Sequence, residues 1–307
     1  MPPRLPRAVL AAPIRTPATI SLRVRVSRYS TATDDSAIQT QYVPAPGTGN
    51  IRVLLLNRPN ARNALSRNLL TSLSQHVQSI AAEGGNGPTR ALVIGSNADS
   101  AFCAGADLKE RLHMTKDETN AFLAKLRGTF RDLAALPIPT ISAVSSIALG
   151  GGLELALSTH LRVFGSNSIV ALPETRLAII PGAGGTYRLP ALIGLNRARD
   201  LILTGRRVTG PEAYFIGLCD RLVEILPEEE KKEGAGREKV VRESIKLAMD
   251  ICDGGPIAVK QALKAVNEYQ RGEAAENEAY DGVVDTEDRH EALRAFSEKR
   301  KPAFRGR

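Results

Sequence analysis

Apolar and polar positions alternate along the chain with two different periods, and each change of period marks an element. IRVLLLNRP is an apolar run stopped by Pro59 and reads as a strand. In SRNLLTSLSQHVQSIAA the apolar residues Leu69, Leu70, Leu73, Val77 and Ile80 recur at helical spacing, with Ser66 available as the cap. GGNGP ends that helix, and RALVIGS is the next short buried strand. A long amphipathic helix over DETNAFLAKLRGTFRDLAAL, a strand at PTISAVSS and a helix beginning near Gly152 in GGLELALS continue the alternation. LRVFGS and SIVAL follow as strand candidates. Short apolar strands separated by helices predict an α/β fold of βα units with parallel pairing. From about Ala191 the pattern becomes mostly helical, in RARDLILTG, GPEAYFIG and PIAVKQALKAVNEYQ.

Three segments are less regular. YVPAPGTGN reads as a loop or a short lead-in to the first strand. LPEEEKKEGAGREK, dense in charge, reads as an exposed loop or frayed helix end. The terminal EALRAFSEKRKPAFRGR is basic and only partly apolar, and reads as a tail or part of a binding surface.

At 307 residues and 43% hydrophobic content, the chain can bury one substantial core, or one core with a smaller lobe. The net charge of +8 suggests a polyanionic partner until its location is considered. Residues 1–33 hold six arginines and no acidic residue, and the rest of the chain sets 35 basic side chains against 33 acidic ones. That first stretch, rich in arginine and hydroxyl side chains, has the composition of a mitochondrial transit peptide. It predicts matrix targeting and a mature start near Ser30, two positions after Arg28. No window of about 18 apolar residues accompanies it, so stable membrane insertion is not expected. Cys103, Cys219 and Cys252 are widely spaced with no CxxC, and the four histidines are scattered, so neither a disulfide framework nor a metal site is expected.

Candidate chemistry concentrates in three places. Glu154 lies in the apolar IALGGGLELALS, where a carboxylate is costly to desolvate and burial would raise its pKa toward the range useful for proton transfer. The ordinary alternative is a glutamate at a helix N-terminus or facing solvent. Gly150, Gly151 and Gly152 would let a ligand approach bare backbone N–H groups, although glycines also serve simple tight turns. Their spacing fits neither a dinucleotide fingerprint nor a phosphate-binding lysine loop. In AFCAGADLKER, the small Ala104, Gly105 and Ala106 precede a helix carrying Lys109 and offer a second set of backbone donors. Asp107 there is more simply a helix cap. In ALPETRLAIIPGAGGTYRLP, Glu174 sits beside an apolar run and the small PGAGG segment. Linear spacing does not place Glu174 opposite Glu154, but two carboxylates in apolar, glycine-rich turns fit acid–base work.

The ordered set LNRPNARNALS, AFCAGADLKER, ALGGGLELALS, ALPETRLAIIPGAGGTYRLP and FSEKR, spread over residues 51–301, resembles the enoyl-CoA hydratase/isomerase, or crotonase, family. Within it the likeness is closest to the methylglutaconyl-CoA hydratase branch. The resemblance implies a crotonase-like fold of repeated ββα units forming two sheets, with a core and active site over 34–190. Residues 191–307 would then be a helical C-terminal region supporting a homotrimer or dimer of trimers. It implies that the Ala106 and Gly151 N–H groups form an oxyanion hole, with Glu154 and Glu174 as the catalytic acids. It also implies CoA contacts from Asn63, Ala64, Leu65, Ala104, Ala106, Lys109 and Gly151, and more remotely from Phe296 and Lys299. No cofactor is implied beyond CoA as the acyl carrier of the substrate. The implied reaction is reversible hydration of 3-methylglutaconyl-CoA to 3-hydroxy-3-methylglutaryl-CoA in leucine breakdown. General short-chain enoyl-CoA hydration is the runner-up.

Two departures from the family pattern stand out. Ser145-Ser146 replaces a common Asp/Asn–Gly pair, and His160 stands where aspartate is common. Neither removes a carboxylate or donor named above. RNA binding, found in one member of the branch through a lysine-rich helix, is a different reading. Here Thr71 and Gln75 occupy two of those lysine positions, and with Arg62 and Arg67 alone the basic stripe is thin. A noncatalytic scaffold is a third reading, disfavoured by the paired Glu154 and Glu174.

Overall fold

The computed structural model describes residues 37–307, so the arginine-rich segment read as a transit peptide lies outside the described residues. Nine strands are present among them: β1 (Ile38–Pro44), β2 (Asn50–Leu56), β3 (Thr89–Ser96), β4 (Thr140–Val144), β5 (Ile147–Leu149), β6 (Leu161–Gly165), β7 (Ile169–Ala171), β8 (Val208–Thr209) and β9 (Arg221–Val223). They form a six-stranded sheet in the order β1-β2-β3-β4-β6-β9 and a three-stranded sheet in the order β5-β7-β8. From β2 to β9 the large sheet is parallel, while β1 pairs antiparallel with β2 and β8 antiparallel with β7. The parallel pairing read from the pattern thus holds for the centre of the sheet and not for its first edge, and the fold is the crotonase-like α/β arrangement of ββα units.

Alternate side chains of the central strands enter two separate cores, as the two-residue period of a strand demands. Leu54, Leu56, Leu92 and Ile94 face one core, together with Leu69, Leu70, Leu73, Val77 and Ile80 of the helix Arg67–Ala82 and Phe122, Leu126, Phe130 and Leu133 of the helix Lys116–Ala134. Ile51, Val53, Leu55, Ala91 and Val93 face the other, covered by Val240, Ile245 and Ala248 of the helix Ala235–Cys252. Burial on both faces is why these strands read as continuous apolar runs. Ser66 caps its helix by accepting from the Leu69 N–H, as the sequence suggested. Thr115 and Glu118 form a reciprocal capping box on the long helix.

Three irregular segments are more ordered than their sequences suggest. Tyr42, Val43 and Pro44 belong to β1, an edge strand whose mixed polar pattern hides its pairing with the whole length of β2. The charge-dense run contains a short helix, Pro227–Lys231, and the first turn of Ala235–Cys252. Lys239 pairs with Glu229, and Asp99 accepts from the Gly234 N–H and from Arg237. The basic end forms the helix Glu287–Ser297 and then folds back, with the Asp288 carboxylate accepting from the Arg305 and Gly306 N–H groups at 2.7 Å each. Residues beyond Ala191 supply most of the later helices and also β8 and β9, which return to the two sheets. No helix among the described residues is long and apolar enough to cross a membrane.

The loop after β2 is held by one side chain. Asn63, fully buried and in the left-handed region at φ 54°, donates through Nδ2 to Ser96 Oγ and to the carbonyls of Ala101 and Phe102. Its Oδ1 accepts from the Arg58 N–H at 2.7 Å. Asn63→Ala should therefore lower stability by about 3 kcal/mol, since it strands several buried polar groups and strains the backbone. A denaturation midpoint equal to that of the unmodified protein would contradict this.

Candidate active site

Two chain segments run side by side after β3 and through β5. Phe102 N–H donates to the Ile147 carbonyl at 2.9 Å, and Leu149 N–H donates to the Cys103 carbonyl at 3.1 Å. A Cβ on Gly152 would lie 2.1 Å from the Cys103 carbonyl oxygen, and one on Gly105 would lie 2.7 Å from that of Leu149. Only glycine permits this approach, and Gly105 also has φ +95°. On the far side, Leu65 N–H donates to Gly105 O and Leu65 O accepts from Asp107 N–H, a parallel bridge centred on Ala106. By the alternation of a strand, the Ala106 N–H points away from Leu65. Gly151 opens the helix Gly151–Leu157, so its N–H has no acceptor within the helix. Neither the Ala106 nor the Gly151 N–H donates to a protein group among the described residues. The two are close: the Ala106 nitrogen is 3.9 Å from the place a Gly151 Cβ would occupy.

Glu154 lies one turn into the same helix, with its side chain buried. Its Oε1 accepts from the Ala183 and Gly185 N–H groups, both at 2.8 Å, while Oε2 takes no protein donor among the described residues. The turn that carries them is held from outside: Arg127 donates at 2.6 Å to the Gly182 carbonyl, in the same peptide as the Ala183 N–H, and Arg188 donates at 2.9 Å to the Ala183 carbonyl of the next peptide. A Cβ on Gly184 would fall 1.9 Å from Arg188 Nη1, so the missing side chain makes room for the guanidinium. Burial pushes the Glu154 carboxyl above the usual carboxylate range, opposed by the two amide hydrogen bonds and then by Arg188 and Arg127.

Glu174 begins the short 3-10 turn Glu174–Leu177 after β7 and is 8% exposed. Burial pushes its carboxyl up to about 7, its own backbone N–H opposes the shift, and the Glu154 charge adds to it. Its Oε2 is buried with no hydrogen-bond partner. Gly150 makes room for Glu174. At φ +53° its N–H donates to Ala171 O, its carbonyl accepts from Glu154 N–H, and its bare Cα leaves space that a Cβ would share with Glu174 Oε1 at 2.9 Å. Two buried carboxyls that feel each other's charge thus lie with two open amide donors around the Gly150–Gly152 turn, which suits proton transfer beside developing oxyanion charge.

The remaining sequence candidates divide. Asn63, Ala64 and Leu65 are buried in the loop beneath this site, and Asn63 spends its side chain on protein groups instead of offering it to a ligand. The Ala104 N–H is bound to Arg62 O. Asp107 caps the helix Leu108–Arg111 and pairs with Arg58 at 3.1 Å, leaving Lys109 exposed on that helix. Phe296 and Lys299 are exposed at the end of the last long helix, and no hydrogen bond or ion pair joins them to the site. His160 acts in packing, its ring bonded to Thr140 and to the Ala134 carbonyl. Ser146 Oγ is buried without a partner. Burial pushes the Cys103 thiol up to about 12, so it is no thiolate nucleophile. Arg67 is paired with Glu118 and further thins the basic stripe on its helix. Sequence reasoning missed Ala183, Gly185, Arg127 and Arg188. PGAGG signalled the first two as a small-residue turn, but nothing in linear order connects Arg127 to Gly182.

Comparison with known proteins gives relatives over most of the chain. The enoyl-CoA hydratase/isomerase family model matches residues 47–307. An enoyl-CoA isomerase/hydratase of Zymoseptoria tritici is 58% identical, with 92% of this chain and 93% of that protein covered. The mitochondrial methylglutaconyl-CoA hydratase 1 of Pyricularia oryzae is 53% identical over 98% of this chain and 95% of its own length. The crystal structure of an enoyl-CoA hydratase from Bacillus anthracis superposes with a TM-score of 0.79 at 38% identity, covering 88% of this chain and all (100%) of that one. With its fold, its paired carboxyls and these relatives, the chain belongs to the enoyl-CoA hydratase/isomerase family and is an enzyme of the CoA-thioester hydratase type.

Proposed function

We propose that the chain catalyses the reversible hydration of 3-methylglutaconyl-CoA to 3-hydroxy-3-methylglutaryl-CoA. The chemistry is supported by the charge interaction between buried Glu154 and Glu174 and by the N–H groups of Ala106 and Gly151, which donate to no protein group among the described residues. The two amide N–H groups donate to the thioester oxygen and stabilise the enolate-like charge that develops there. Glu154, ionised with Oε1 fixed by two amides, takes a proton from water through Oε2 as the oxygen attacks the β-carbon. Glu174, its acid form favoured by burial, gives its proton to the α-carbon, and dehydration reverses both transfers. CoA is the carrier of the acyl group, and Lys109, exposed beside Ala106, is suited to its phosphates.

The branched dicarboxylyl substrate is supported by the likeness to proteins named methylglutaconyl-CoA hydratase, including the human mitochondrial one at 41% identity over 83% of this chain. The same names and the arginine-rich residues 1–33 support a mitochondrial matrix location. Exposed Ile180, Leu203 and Phe215 support assembly into a trimer or a pair of trimers.

Glu154→Gln and Glu174→Gln should each lower kcat by about 10²–10⁴-fold while leaving the circular dichroism spectrum unchanged. Near-normal turnover in either variant would remove that residue from the mechanism. Because hydration requires Glu174 protonated and burial raises its pKa to about 7, hydration kcat/KM should fall as pH rises through that value. Dehydration uses the same singly protonated pair with the proton on Glu154 instead, so its kcat/KM should fall in parallel over the same pH range. A hydration kcat/KM that stays flat or rises through that range would refute this assignment. Turnover of 3-methylglutaconyl-CoA against crotonyl-CoA by the chain lacking residues 1–33 tests the substrate. Preference for crotonyl-CoA would move the assignment to general short-chain hydration.

A further inference from the structure

The turn that binds Glu154 is braced by two arginines without ion-pair partners. Neither Arg127 nor Arg188 has a carboxylate within ion-pair distance among the described residues, and both place a positive charge that acts on Glu154.

Arg188 closes the first turn of the helix Gly185–Ile193. A cation there opposes the helix dipole, whose positive end already meets Glu154 Oε1 through the Gly185 N–H. Burial adds to that cost and pushes the guanidinium below its usual range, opposed by Tyr187 and Glu154. Helix formation therefore gives no reason for an arginine at this position, whereas its contacts do. The side chain reaches back to bridge two backbone carbonyls, Ala183 at 2.9 Å and Phe130 at 3.3 Å. Phe130 lies in the helix Lys116–Ala134, about one turn beyond Arg127, which donates to the Gly182 carbonyl from the same helix. Arg188 thus ties the turn that receives Glu154 to a second helix, in a seat completed by the bare Cα of Gly184 and by the Tyr187 ring, 4.9 Å from the guanidinium carbon.

The two cations are unequal. Arg127 is exposed, so water and salt screen it, while Arg188 is half-buried. Against them stands Glu174 on the turn after β7, whose interaction with Glu154 disfavours ionising both acids at once. The Cys103 thiol, packed against Gly152 at the start of the Glu154 helix, stays neutral. Ionised Glu154 accordingly faces burial and a second carboxyl on one side, with two amides and the arginines on the other.

We propose that Arg188 is a positioning residue for the hydration: it holds the Ala183 peptide in register with Glu154 Oε1 and fixes a positive charge outside the turn, which keeps Glu154 a base with Oε2 free for water. The proposal rests on reading Glu154 as the base. Arg188 acts through the turn and through its field, and has no part in the proton transfers.

The test compares hydration by the full chain with that of Arg188→Gln, Arg188→Lys and Arg127→Gln, following kcat/KM across pH with 3-methylglutaconyl-CoA and crotonyl-CoA. On the acid side of the profile both carboxyls are protonated and the base is lost. Removing the cation favours that doubly protonated form, so in Arg188→Gln the acid limb should move to higher pH by about 0.5–1 unit. Its kcat should fall about 10- to 100-fold with KM held within about threefold, as expected for a misplaced base. Lysine keeps the charge without the planar fork, so Arg188→Lys should return the limb toward its original pH while kcat recovers only in part. Arg127→Gln should move the limb in the same direction by less. An acid limb that stays in place in Arg188→Gln would leave that side chain a purely structural role and overturn the inference. If Arg188→Gln does not fold, the decision passes to Arg188→Lys, where a kcat within about twofold of the unmodified protein would overturn it. Lost turnover in Glu154→Gln beside an unmoved limb in Arg188→Gln sinks this inference alone, whereas near-normal turnover in Glu154→Gln sinks the reading of the base and this inference with it.

Discussion

Cys103 and Gly152 meet where no side chain fits, and the rest of the site is arranged around that contact. The chain leaving β3 and the chain leaving β5 approach until a Cβ on Gly152 would stand 2.1 Å from a carbonyl oxygen. This contact brings the Ala106 and Gly151 amides together and starts the helix that carries Glu154. One backbone constraint therefore sets both the position of the open donors and the entry angle of one acid. Gly150 adds the second acid, because the space its missing side chain leaves is taken by Glu174 Oε1. Loss of any of these glycines would act on several catalytic distances at once, so their effects should not be additive with those of the glutamates.

The two carboxyls occupy similar burial with different partners. Glu154 receives two backbone donors on one oxygen and feels Arg188 and Arg127, all of which favour its charged form against burial. Glu174 has a buried oxygen without a partner and the Glu154 charge beside it, both of which favour its neutral form. Burial raises both carboxyls, and in the proposed mechanism the donors on Glu154 suit it to the base role and the partnerless oxygen of Glu174 to the acid role. The arginines contribute from outside the turn, through the carbonyls of Gly182 and Ala183.

How much of this was legible in the sequence follows from which interactions are local. The helix Arg67–Ala82, its Ser66 cap and the buried strands were readable because period and capping are properties of neighbouring residues. β1 was not, since an edge strand exposes one face and its pairing with β2 is known only once β2 has a free side. The glycines and both glutamates stood out as residues costly in apolar surroundings, and their roles came from the ordered motifs of the family resemblance. That the two lie close enough for the Glu154 charge to act on Glu174 depends on β5 and β7 lying in one small sheet, which no spacing between residues 154 and 174 encodes. Arg127 and Arg188 were missed because an arginine that donates to a distant carbonyl looks in sequence like any helix-surface cation.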